Sequence, residues 1–113
     1  WSPLASGALT GKYLDGIPKG SRASLTGYEW LKKSMVESDR GQERMARVTS
    51  LVPIAEKLNV SMSQLAIAWC LLNENVSTVI LGASKMEQLQ ENLESAEVLK
   101  LLDENIQKEL LMI

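Results

Sequence analysis

Only one stretch of this 113-residue chain reads as a buried strand: Val76-Ser77-Thr78-Val79-Ile80-Leu81, short and rich in β-branched residues. A strand satisfies its backbone only beside other strands. The one other candidate is a strand ending near Trp1, and two strands do not make a sheet. Helical patterns lie on both sides of residues 76–81, an order that suits an α/β fold with a parallel sheet. The expected architecture is therefore α/β but mostly helical within these residues, with neighbouring strands supplied from elsewhere. The start at Trp1-Ser2-Pro3-Leu4, with no Met at position 1, is also expected of an internal piece.

Residues 1–28 hold five of the seven glycines and two of the three prolines, which rules out a long helix there. A short helical turn is expected at 5–12. Residues 29–37 are expected to form a short helix with Trp30, Leu31 and Met35 on one face. From Gln42 to Leu58 the apolar residues Met45, Val48, Leu51, Val52, Ala55 and Leu58 recur at helical steps. Pro53 should kink that helix or cost it a hydrogen bond, and Asn59 should end it. Ser61-Met62-Ser63-Gln64 reads as a capping box that opens a helix through Leu72, apolar nearly all round. Ser84-Lys85-Met86-Glu87 reads as a second box, opening a helix from Lys85 to about Leu93. A last helix is expected over 103–112, with Leu101 and Leu102 docking its start.

Composition removes several chemistries. There is no histidine, so zinc sites built on His, Ser-His-Asp triads and Cys-His pairs are excluded within the chain. Cys70 is the one cysteine; it forms no internal disulfide and no structural metal site, and its apolar neighbours mark a buried helix residue. No metal ligands are expected. A net charge of −2 does not suggest nucleic acid as a partner. No apolar run approaches the ~20 residues that span a bilayer. Nothing asks for an oxidising compartment, and the cytosol is the expected location.

Two segments carry possible chemistry. In Val79-Ile80-Leu81-Gly82-Ala83-Ser84 a strand, a glycine turn and a helix start follow one another. The first N–H groups of a helix lack internal partners and favour anions, and Gly82 permits close approach to the backbone. The same residues also read as a plain, well-capped strand-to-helix turn. In Trp1-Ser2-Pro3-Leu4-Ala5-Ser6-Gly7, an aromatic ring precedes a glycine-bearing loop, with Lys12 and Arg22 downstream. An exposed Trp can stack on a flat ring, and Lys and Arg can hold phosphate. Here too a core Trp and two solvated cations is the plainer reading.

Taken together, these residues resemble a known family. Trp1-Ser2-Pro3-Leu4-Ala5-x-Gly7, Gly11-Lys12-Tyr13, Gly16-Ile17-Pro18 and Ser21-Arg22-Ala23-Ser24-Leu25 resemble the segment after the seventh strand of aldo-keto reductases. Gln64-Leu65-Ala66-Ile67-Ala68-Trp69-Cys70-Leu71 and Leu81-Gly82-Ala83-Ser84-x-x-Glu87-Gln88-Leu89-x-Glu91-Asn92 continue the likeness, which covers residues 1–98. Gly27-Tyr28-x-Trp30-Leu31-Lys32 is most similar to the branch that forms beta subunits of voltage-gated potassium channels. The departures are Ser6, where that branch has Cys, and Gly20, where it has an aromatic residue nearby.

The resemblance implies a C-terminal fragment of a TIM (β/α)8 barrel, residues 1–113 being the region of its last two strands and their helices. It implies NADPH as cofactor. Trp1 would stack on the nicotinamide, and Ser2, Pro3, Leu4, Ala5 and Ser6 would line the pyrophosphate side. Lys12 and Arg22 would lie near the phosphates. Gly82, Ser84 and Gln88 would hold the 2′-phosphate end, and Glu91 and Asn92 the adenine. The family's catalytic Asp, Tyr, Lys and His lie on earlier strands, so no catalytic residue is assigned here; Tyr13 and Tyr28 fall outside that motif. The implied parent reduces aldehydes or ketones. It is also expected to act as a homotetrameric regulatory subunit on the cytoplasmic domain of a Shaker-type channel, at the cytoplasmic face of the plasma membrane. The alternative is an ordinary aldo-keto reductase with no channel partner.

Overall fold

The longest helix organises the molecule. In the computed structural model, which describes residues 1–113, this helix runs over Asp39–Leu58 and serves two hydrophobic clusters, one at each end. We call it α2; α1 is the single turn Glu29–Lys32 before it, and α3 (Met62–Leu71), α4 (Met86–Leu93), α5 (Ser95–Val98) and α6 (Glu104–Leu111) follow. Short 3-10 turns cover Ala5–Thr10, Arg22–Ser24 and Leu99–Leu101.

The first cluster joins Met45 and Val48 of α2 to Leu31, Met35, Ala8, Tyr13 and Ala23, so it anchors the glycine-rich N-terminal segment. The second joins Ile54 and Ala55 to Leu65, Ala68, Val98, Leu102 and Ile106. Met62 packs against both. Ser38 caps α2, its hydroxyl accepting from the Gly41 N–H at 3.1 Å, and Asn59 ends it in the left-handed region at φ 54°. The helix passes through Pro53 without ending; Pro53 is exposed, so the missing N–H costs one bond on the outer face. The Ser61–Gln64 box is present in both directions, at 3.0 and 3.1 Å.

Several expectations are corrected. There is no strand at 76–81 or near Trp1. Residues 76–81 find no second strand to share hydrogen bonds with, and Ile80, expected to be buried, is 67% exposed. Beyond α1 the chain winds as a π-turn over Lys33–Glu37, with the Ser38 N–H donating to the Lys33 carbonyl at 2.9 Å. Leu31 and Met35 are buried but Trp30 is 61% exposed, so the three do not share a face. α3 buries Leu65, Ile67 and Ala68 while Trp69 is exposed and Cys70 only half-buried, so this helix is not packed all round. Leu102 docks the start of α6, whose N-cap Asp103 accepts from the Asn105 and Ile106 N–H groups at 2.9 Å; Leu101 is exposed. No helix is long and apolar enough to cross a membrane.

The π-turn meets α2 at Gly41. A Cβ there would lie 2.6 Å from the carbonyl carbon of Met35 and 2.9 Å from the Ser34 carbonyl oxygen, both of them backbone atoms that cannot swing aside. Helix propensity alone favours Ala over Gly by about 1 kcal/mol, whereas overpacking a fixed backbone costs about 1–3 kcal/mol. Gly41→Ala is therefore expected to lower the urea or thermal midpoint despite its better propensity. A raised midpoint would contradict this packing.

Candidate functional site

The N-terminal segment and the start of α4 face each other across a groove of about 1020 Å³. One wall is formed by Ser2, Pro3, Leu4, Ser6, Gly7, Thr10 and Lys12, with the turn Pro18–Arg22, Leu25 and Tyr28. The other is formed by Ile80–Lys85, Gln88, Glu91 and Asn92, with Ser63 between them. Of the thirteen residues expected to touch a cofactor, eleven line this one groove: Ser2, Pro3, Leu4, Ser6, Lys12, Arg22, Gly82, Ser84, Gln88, Glu91 and Asn92. Trp1 and Ala5 do not. Trp1 is 96% exposed, with its ring uncovered by any part of the chain.

The first wall is held in an unfavourable backbone. Ser2, Ala5 and Ser6 all have positive φ (56°, 47° and 58°), and only Asn59, a helix stop, shares that property among the other non-glycine residues. Each such residue costs on the order of 1–3 kcal/mol and persists only where its surroundings enforce it. The Ser2 carbonyl accepts from the Ala5 N–H at 3.0 Å, and the Leu4 carbonyl from the Gly7 N–H at 2.8 Å, which winds the segment tightly. Gly7 lets the Lys12 stem cross it: a Cβ at Gly7 would sit 2.8 Å from Lys12 Cε. The Lys12 ammonium lies 5.1 Å from the centre of the Tyr13 ring. Tyr13 itself is buried, its hydroxyl unpartnered.

The second wall is set by Gln88. Its Oε1 accepts from the Ser84 N–H at 2.9 Å, the Ser84 hydroxyl at 3.1 Å and the Lys85 N–H at 3.2 Å. The box expected from Ser84 and Glu87 is thus shifted by one residue: Lys85 is the N-cap, and Gln88 rather than Glu87 reaches back. The far end of α4 is tied to α3 by Gln64, whose Nε2 donates to the Glu91 carbonyl at 3.2 Å and to the Glu94 carboxylate at 3.0 Å.

Charge concentrates in the groove. Four cations line it (Lys12, Lys19, Arg22, Lys85) against one carboxylate, Glu91, in a chain of net charge −2. None of the four belongs to the chain's five ion pairs. Ser21 adds a buried hydroxyl without a partner, and Asn92, a residue only 5% exposed, lines the same groove. Glu29, one residue beyond Tyr28, is held below the usual carboxylate range by its own backbone N–H and then by the Gly27 N–H, which donates to it at 3.0 Å. No cluster of His, Cys, Asp and Glu able to hold a metal ion is present. Sequence reasoning missed Lys19, Ser21 and Lys85. The available signal was cations in the loops beside both recognised motifs.

In comparison with known proteins, the model of the family described as "Aldo/keto reductase family" matches residues 1–108. The match takes in both walls of the groove and the α3 tether between them.

That tether makes a prediction. Gln64→Ala removes one cap acceptor of α3 and both bonds to α4, and is expected to lower stability by about 1–2 kcal/mol. Amide hydrogen exchange in α4 should quicken more than in α6. Unchanged exchange in α4 would show that Gln64 does not hold it.

Proposed function

The chain belongs to the aldo/keto reductase family, and we propose that its groove holds the phosphates and adenosine of NADPH. The single observation that carries this reading is one groove joining a strained, glycine-bearing loop to a helix start, lined by four cations that no carboxylate pairs. The donor set fits an extended, multiply phosphorylated nucleotide. Cations, an unpartnered hydroxyl at Ser21 and a helix N-terminus are the groups that phosphate oxygens seek.

In this reading Ser2–Ser6 run along the pyrophosphate, with Lys12 and Arg22 at its charges. Gly82, Ser84 and Gln88 take the 2′-phosphate, and Glu91 and Asn92 the adenine. Trp1 stacks on the nicotinamide, which would cover an indole now open to water. When bound, NADPH supplies the hydride that reduces a carbonyl carbon. The chain's own part is to bind and orient it. Ser84 and Lys85 carry N–H groups already aimed at one acceptor, the Gln88 oxygen, and a phosphate oxygen replacing that acceptor keeps them satisfied.

The finer placement is as the C-terminal portion of a TIM barrel that reduces aldehydes or ketones, with residues 76–81 paired to strands outside this chain. The run Gly27-Tyr28-x-Trp30-Leu31-Lys32 supports a regulatory beta subunit of Shaker-type potassium channels, homotetrameric and cytoplasmic, over an ordinary reductase with no such partner. Co-purification of the intact protein with a channel's cytoplasmic domain separates the two.

Ser84→Ala and Gln88→Ala in the intact protein should weaken NADPH binding by about 1.5–3 kcal/mol each, since each loses a bond to a charged group. NADH binding should suffer less. Titration of nucleotide fluorescence measures both; equal losses would show that neither residue reads the 2′-phosphate. The 113-residue chain alone is expected to oxidise no NADPH with an aldehyde, and measurable turnover would refute that.

A further inference from the structure

Lys12 lies in a slot that the chain builds for it. One border is Gly7, where a Cβ would sit 2.8 Å from Lys12 Cε and 2.9 Å from its Nζ. At φ 98° Gly7 also holds backbone that a side chain rarely adopts, so only glycine serves there. A second border is Tyr13, whose ring centre lies 5.1 Å from the ammonium. Thr10 closes the loop. The Lys12 N–H donates to its hydroxyl at 3.3 Å, and that hydroxyl donates to the Gly7 carbonyl at 2.8 Å. Lys12 belongs to none of the five ion pairs. What attracts its charge is the negative face of the ring.

Tyr13 is itself fixed. It is 1% exposed and packs in the first cluster with Ala8, Ala23, Leu31 and Met35, whereas Lys12 next to it lines the groove. Its hydroxyl is buried without a partner. Such a hydroxyl costs stability and adds nothing to packing that a Phe ring lacks. The useful part of Tyr13 is therefore its ring face. A lysine on an open loop samples many rotamers, and a ligand that fixes one must offset that freedom. A ring anchored in the core narrows the choice before any ligand arrives.

We propose that Tyr13 is a positioning residue. Its ring face, beside the bare backbone of Gly7, holds the Lys12 ammonium in the groove ready for the nucleotide phosphates. Tyr13 touches no nucleotide and acts only through Lys12. This rests on the nucleotide reading of the groove and adds to it a core residue that lines neither wall.

The test is a double-mutant cycle on the intact protein, read as the NADPH dissociation constant by calorimetry. Lys12→Met should raise the Kd about tenfold, the loss of one charge-assisted contact. Tyr13→Leu should raise it about three- to fivefold, the worth of the ring face. Tyr13→Phe should keep the wild-type Kd, with an unchanged or higher thermal midpoint. In the Lys12→Met background Tyr13→Leu should change nothing further, because the two side chains act as a unit. A wild-type measurement does not depend on whether Tyr13→Leu folds. With 13C-labelled lysine, the ε-methylene signal of the nucleotide-free protein that Lys12→Met deletes should lie upfield of the other lysines, shifted by the ring. It should stay there in Tyr13→Phe. An ordinary lysine shift for Lys12, or a Tyr13→Leu loss that persists without Lys12, overturns the role of Tyr13 while the groove reading stands. If the wild-type protein binds no NADPH, both fall.

Discussion

The carboxamide of Gln64 holds the site together. Its oxygen accepts from the Ser61 N–H, and its nitrogen donates to the Glu91 carbonyl and the Glu94 carboxylate. One side chain therefore fixes the start of α3 and the end of α4 at once. Apart from the Lys57–Glu109 pair, these are the only side-chain hydrogen bonds joining residues far apart in sequence. α3 is in turn fixed by Leu65 and Ala68 in the second cluster, and Met62 touches the first. The first cluster carries the N-terminal loop. Both walls of the groove are thus referred to the same short helix.

Two local costs meet across that groove. Ser2, Ala5 and Ser6 hold left-handed backbone, and Lys85 sets a cation at a helix start. Neither is repaired inside the chain. The charge is not neutralised either: Lys12, Lys19, Arg22 and Lys85 are all left unpaired, whereas five of the eight other lysines and arginines find carboxylates. Anionic ligand binding offsets the charge term directly, and backbone held in place beforehand reduces what binding must spend on ordering the loop.

Much of this was legible where the signal is local. The Ser61–Gln64 box and the Asn59 stop depend on residues three or four apart, and both appear as read. Features that depend on register or on distant partners were not. The Ser84 box slipped by one because Glu87 and Gln88 are both plausible third-position residues, and only the backbone of Lys85 decides between them. Trp30 was grouped with Leu31 and Met35 on a 3.6-residue period, but the π-turn after Lys32 changes that period. Val76–Leu81 has strand composition, yet a strand exists only through its partner. The motif residues on both walls were recognisable by resemblance, and the groove that unites them follows from tertiary packing. The strain at Ser2 and Ala5 left no mark in the sequence, since neither is glycine.

The central claim is that one nucleotide spans both walls. Hydrogen–deuterium exchange of the intact protein with and without NADPH tests it most directly. Slower exchange is predicted in residues 2–7 and 82–88 together, rising with the same nucleotide concentration dependence. Protection of one segment without the other, or of neither while NADPH binds elsewhere, would contradict it.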